Sequence, residues 1–134
     1  MQPMPFILIV DDDEDDRDIL SSAIHDIDPH IRCLVASNGE EALLGLRLNH
    51  FPKPDLIFLD LNMPRINGIQ LLKELKKDRM LQDIPVVVYS TSKMQDDKSE
   101  CINLGAVHFI TKPCSYKELQ RMISDVLLTE LLIR

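Results

Sequence analysis

The chain has 134 residues, 45% apolar and 28% charged, with a formal net charge of −7. That length suits one domain with a real core, and no apolar run approaches the roughly 18–20 residues that cross a bilayer. The charge is concentrated: residues 11–18 hold seven acids and one base, leaving 15 acids and 14 bases elsewhere. No basic stripe remains for nucleic acid.

In chain order, residues 6–10 are a continuous apolar, β-branched run, the pattern of a strand covered on both faces. The run is too short for a signal-peptide core and leads straight into acids, so a cytoplasmic protein without a membrane partner is expected. Ile19, Leu20, Ala23, Ile24 and Ile27 form a helical stripe that Asp28-Pro29 ends. Residues 31–36 read as a second strand, stopped by Asn38-Gly39. A helix over 40–48 points Ala42, Leu43 and Leu46 inward. Pro52 and Pro54 punctuate a loop, and 56–59 form a third strand ending at Asp60. A loop precedes a helix over 68–77 with Ile69, Leu72 and Leu75 inward. The fourth strand, 86–89, ends at Ser90. Residues 95–104 carry a thin helical stripe, Cys101 and Ile102, closed by Gly105. The fifth strand, 107–111, runs into Lys112-Pro113. A long amphipathic helix spans about 115–132, with Leu119, Met122, Ile123, Val126 and Leu127 on one face.

Five strands alternating with five helices predict a single α/β domain over 1–134, core about 5–128, with a parallel sheet covered on both faces. Cys33, Cys101 and Cys114 share no CxxC or metal spacing and read as reduced thiols. The four histidines share no ligand spacing.

Ligands of such sheets bind at the carboxyl ends of the strands. Asp11 and Asp12 fall there after the first strand, Asp60 after the third, Ser90 after the fourth and Lys112 after the fifth. Three carboxylates brought close together repel unless a cation holds them, and an oxygen-only set favours Mg²⁺ or a similar hard ion. A carboxylate can attack phosphorus to give an acyl phosphate. The Lys112 ammonium would neutralise phosphoryl oxygens, and the Ser90 hydroxyl could donate to another.

Four segments carry a family resemblance: Ile9-Val10-Asp11-Asp12; Leu59-Asp60-Leu61-Asn62-Met63-Pro64 with Gly68 beyond; Val87-Val88-Tyr89-Ser90-Thr91; and Phe109-Ile110-Thr111-Lys112-Pro113. In this order and spacing, over essentially the whole chain, they resemble a stand-alone CheY-like response-regulator receiver domain. The resemblance implies a flavodoxin-like, doubly wound sheet of strand order 2-1-3-4-5. It implies Asp60 as phosphoacceptor, and Mg²⁺ on Asp12, Asp60 and the Asn62 backbone carbonyl, with Asp11 acting through a metal-bound water. Lys112 would bind the phosphate, and Ser90 and Phe109 would be the switch pair. Asn62 and Ser92 stand where receivers tune the lifetime of the acyl phosphate. The donor would be a sensor histidine kinase or histidine phosphotransfer protein. The chain would be no enzyme beyond its own phosphorylation and dephosphorylation, its output passing through another protein at the surface of strand 4, helix 4, strand 5 and helix 5.

Plainer roles stand beside these. Asp60 could cap a turn, Asp11 and Asp12 could cap the first helix, Ser90 and Lys112 could be ordinary polar residues, and Phe109 could be static core. Asp13, Glu14, Asp15 and Asp16 read as a first-turn acidic face without metal contact. Leu127, Leu128, Leu131, Leu132 and Ile133 make the last helix apolar around much of its girth, which leaves a partner or homodimer surface open against terminal packing. Two rival functions remain. An aspartyl-phosphate phosphohydrolase would want an acid where Asn62 stands, and a constitutive binding module would not need the Asp12, Asp60, Ser90 and Lys112 set.

Overall fold

The computed structural model describes residues 4–63, 66–91 and 94–132. Its strands are β1 (Phe6–Val10), β2 (Arg32–Ala36), β3 (Leu56–Leu59), β4 (Val86–Ser90) and β5 (His108–Thr111). They alternate with α1 (Glu14–Ile27), α2 (Gly39–Arg47), α3 (Gly68–Lys77), α4 (Gln95–Asn103) and α5 (Tyr116–Leu127), and a π-helical turn, Leu128–Leu132, continues α5. The sheet order is β2-β1-β3-β4-β5 and every pairing is parallel, as expected.

The period of two divides each central strand between two cores. Leu8, Val10, Ile57, Leu59, Val86 and Val88 pack with α2, α3 and the Cys101 side of α4. Ile7, Ile9, Phe58, Val87 and Tyr89 pack with Leu20, Ala23 and Ile24 of α1 and Leu119, Ile123 and Val126 of α5. Strands covered on both faces need apolar residues at every position, which is why β1 and β3 read as unbroken apolar runs.

Some inward assignments fail. Ile19 and Ile102 are exposed, so the α1 stripe begins at Leu20 and α4 is anchored by Cys101. Leu34 and Val35 are exposed as well, because β2 is the edge strand. At the C-terminus Leu127 is buried and Leu131 packs against the α1/α5 core, while Leu128 is exposed. The π-helical turn is seated on β5, where Glu130 Oε1 lies 3.3 Å from His108 Nε2. Terminal packing thus accounts for Leu127 and Leu131. Pro64, Ser92, Ile133 and the Leu132 side chain lie outside the described residues. Among the described residues no helix is long and apolar enough to cross a membrane.

Helix starts beside the carboxyl edge are fixed by side chains. Asp13 caps α1, accepting from Asp15 N–H, and Asn67 caps α3 in a reciprocal box with Gln70. Asn67→Ala should lower stability by about 1 kcal/mol in urea denaturation, the usual cost of losing an N-cap. An unchanged midpoint would show the box to be idle.

Candidate functional site

The ladder places the reactive side chains. Asp11 N–H donates to Ala36 O at 3.1 Å, and Asp60 N–H donates to Val10 O at 3.0 Å. The two aspartates therefore leave β1 and β3 side by side at the carboxyl edge. Lys112 N–H donates to Ser90 O at 2.8 Å, which ties the end of β5 to that of β4. Asp11 and Asp60 are buried, Asp12 is exposed, and each offers an oxygen within 4.8 Å of the others.

Around them, Asp11 Oδ1 accepts from Asp13 N–H at 2.9 Å, and Arg17 Nη1 donates to the Asp11 carbonyl at 2.9 Å. Asp60 Oδ1 accepts from Asn62 N–H at 3.4 Å, and the Asn62 amide donates to Thr91 Oγ1 at 3.4 Å. The Lys112 ammonium stands 2.7 Å from Asp16, 3.2 Å from Asp11 and 3.9 Å from Asp60. It also lies 5.1 Å from the centre of the Tyr89 ring, within cation–π range.

Burial pushes the Asp60 carboxyl up from 3.8 to about 6; Lys112 pulls it down, Asp11 pushes it up, the Asn62 N–H lowers it and Asp12 raises it. For Lys112 burial works against the charged form, yet the Asp16 hydrogen bond and the charges of Asp60, Asp11 and Asp16 leave its pKa raised. The site therefore holds a permanent cation beside a carboxylate that is costly to ionise.

The donor set fits a hard divalent cation. Three carboxylates converge within 4.8 Å with Lys112 only partly balancing them, and the exposed side of Asp12 leaves room for water and an incoming oxyanion. Ser90 is fully buried at the end of β4, on the same face of the sheet as half-buried Phe109, whose neighbour across the ladder is Val88. Asp11, Asp12, Asp60, Asn62, Ser90 and Lys112 thus collect on one edge, while Phe109 sits further back, inside β5. Asp16, Tyr89 and Arg17 are the participants that sequence reasoning missed. A signal existed for Asp16: an acid three residues past a helix cap turns its side chain back towards the helix start.

An open parallel sheet with a buried aspartate at the end of its third strand, two acids at the first and a lysine at the fifth defines a phosphoacceptor class. The sequence pattern of the response regulator receiver domain matches residues 7–124, and the chain belongs to that family of signalling domains, phosphorylated on aspartate. The chain is 36% identical over 121 residues to the phosphate regulon transcriptional regulatory protein PhoB of Pseudomonas aeruginosa. That match covers 90% of this chain and 51% of PhoB, so the chain spans about half the length of such curated relatives. Among solved structures, the phosphorylated cyanobacterial phytochrome response regulator RcpA superposes with a TM-score of 0.91 at 30% identity, covering 98% of this chain and 97% of RcpA. The Mn²⁺-bound response regulator Rcp1 gives 0.81 at 30% identity, covering 92% and 91%. Receiver domains of this family bind a divalent metal and interact with histidine kinases or phosphotransfer proteins.

Proposed function

We propose that this chain, as a single receiver domain over 1–134 acting in the cytoplasm, accepts a phosphoryl group on Asp60 with Mg²⁺ as its cation. The observation that carries the reading is the placing of Asp60: buried, raised to about 6, and ringed by Asp11, Asp12 and Lys112. Asp12 and Asp60 would hold the ion, with the Asn62 carbonyl, and with Asp11 through water. When bound, Mg²⁺ neutralises charge between carboxylate and phosphoryl oxygens.

An Asp60 oxygen attacks the phosphorus of phosphohistidine on a sensor kinase or phosphotransfer protein. The P–N bond breaks and a carboxyl–phosphoryl bond forms, the histidine leaving with the N–P electron pair. Lys112 holds the phosphoryl oxygens as a point charge. Ser90 then donates to another of them. Its burial means that the end of β4 must shift to present the hydroxyl, and half-buried Phe109 turns into the space beneath. A protein partner reads that change on β4, α4, β5 and α5, and exposed Leu128 at the end of α5 offers that partner, or a second copy, an apolar contact. Catalysis is confined to the domain's own phosphorylation and dephosphorylation.

With Mg²⁺ and acetyl phosphate, intact-mass spectrometry should show a gain of one phosphoryl group. Asp60→Asn, or EDTA, should remove the gain. An equal gain in Asp60→Asn would sink the assignment.

A further inference from the structure

Asp16 lies outside the three-carboxylate cluster and reads from sequence as solvated helix surface. It is nevertheless the closest of the carboxylates to the Lys112 ammonium, at 2.7 Å against 3.2 Å for Asp11 and 3.9 Å for Asp60. The contact joins residues 96 apart in sequence, so it is not a by-product of local helix geometry. Asp16 is the third residue of α1 after the Asp13 cap, and side chains of a helix lean towards its N-terminus. That lean carries the carboxylate back over the strand edge.

The Lys112 side chain is 10% exposed and that of Asp16 32%. The ammonium, also hydrogen-bonded to Asp11 at 3.2 Å, therefore has a sheltered route between two further seats. On one side lies Asp60, at 3.9 Å and beyond hydrogen-bond reach. On the other lies Asp16, at the wall of an open cleft of about 210 Å³ shared with Ile19, Cys114 and Tyr116. A phosphoryl group on Asp60 needs the ammonium to move towards it, which lengthens the Asp16 contact. The Asp16 charge also opposes an arriving dianion.

We propose that Asp16 is a positioning residue that seats Lys112 away from Asp60 at rest, so that phosphoryl acceptance must draw the lysine off a competing carboxylate. The inference rests on the phosphoacceptor reading of Asp60 and adds a brake to it. In this role Asp16 would meet neither the phosphoryl group nor the divalent ion; it acts through the lysine.

The test compares second-order rate constants for phosphorylation by acetyl phosphate, at saturating Mg²⁺, among wild type, Asp16→Asn, Asp16→Glu and Asp15→Asn. Asp15 is the control: it sits on the same first turn with the same charge but makes no Lys112 ion pair. Asp16→Asn should be about fivefold faster than wild type, Asp15→Asn within about twofold, and Asp16→Glu close to wild type. A structural lesion in α1 would slow the reaction, so a gain reversed by Glu separates positioning from folding. Beryllofluoride affinity should rise in the same order. If circular dichroism shows Asp16→Asn misfolded, Asp16→Ser takes its place in the same comparison. A rate at or below that of Asp15→Asn would overturn the brake alone. No phosphorylation of wild type would overturn the phosphoacceptor reading and the brake with it.

Discussion

In metal-free protein at pH 8, Asp60→Asn should unfold with a free energy about 2–3 kcal/mol higher than wild type, and the gain should vanish towards pH 4. The folded protein holds the Asp60 proton up to about pH 6, whereas the unfolded chain releases it near 3.8. Between those values the folded state binds the extra proton, so wild-type stability falls as pH rises through the window and stays lower above it. At 1.36 kcal/mol per pH unit, a gap of about two units corresponds to about 3 kcal/mol. Asparagine fills the same volume without ever carrying charge, so it escapes that cost. Urea denaturation in EDTA at pH 8, 6 and 4 measures the effect. Mg²⁺ should then narrow the gap at pH 8, since an ion bound by the native carboxylates stabilises wild type by mass action. A variant no more stable than wild type at pH 8, or a gap undiminished at pH 4, would refute the account.

Gly68→Ala should lower stability by about 2–4 kcal/mol and slow phosphorylation by about tenfold or more. A Cβ at Gly68 would stand 2.4 Å from the Asp60 carbonyl oxygen and 2.6 Å from Leu61 Cα. Both are backbone atoms, and Gly68 N–H is already bonded to Leu61 O at 3.1 Å. Relief requires α3 and the segment after Asp60 to part, which moves Asp60. Alanine's better helix propensity returns only about 1 kcal/mol. Gly45 provides the contrast. Its Cβ would meet the Phe51 ring at 2.4 Å, but that ring is half-buried in a loop and can swing, so Gly45→Ala should cost less and leave phosphorylation unchanged. Wild-type stability and rate in Gly68→Ala would refute the packing argument.

How much of this was legible in the sequence depends on the range of the interaction. The runs that became β1, β3 and β4 declared themselves because covering both faces demands apolar residues at every position. β2 looks the same over Leu34 and Val35, yet both are exposed, since a strand's place in the sheet is not written in the strand. Periodicity alone assigns Ile19 to the core. It faces instead the cleft beside Asp16 and Lys112, a detail set by where α1 starts. Asp11, Asp12, Asp60, Ser90 and Lys112 were readable because strand ends place them. Asp16 and Tyr89 were not, because their role depends on where one long flexible side chain comes to rest. The apolar C-terminus left two readings open: Leu131 packs on the α1/α5 core from within the π-helical turn, a local departure that no 3.6-residue period announces.

The Lys112–Asp11 contact spans 101 residues, and that distance fixes an order of events during synthesis. As the chain emerges from its N-terminus, the acids of the site are made long before their cation. Until β5 docks, Asp11, Asp12 and Asp60 face one another without the Lys112 ammonium, and the nearby Arg17 guanidinium is bonded to the Asp11 main chain instead. A nascent or truncated chain lacking the fifth strand therefore has a half-built, self-repelling edge. Phosphoacceptor competence is a property that only the completed sheet confers.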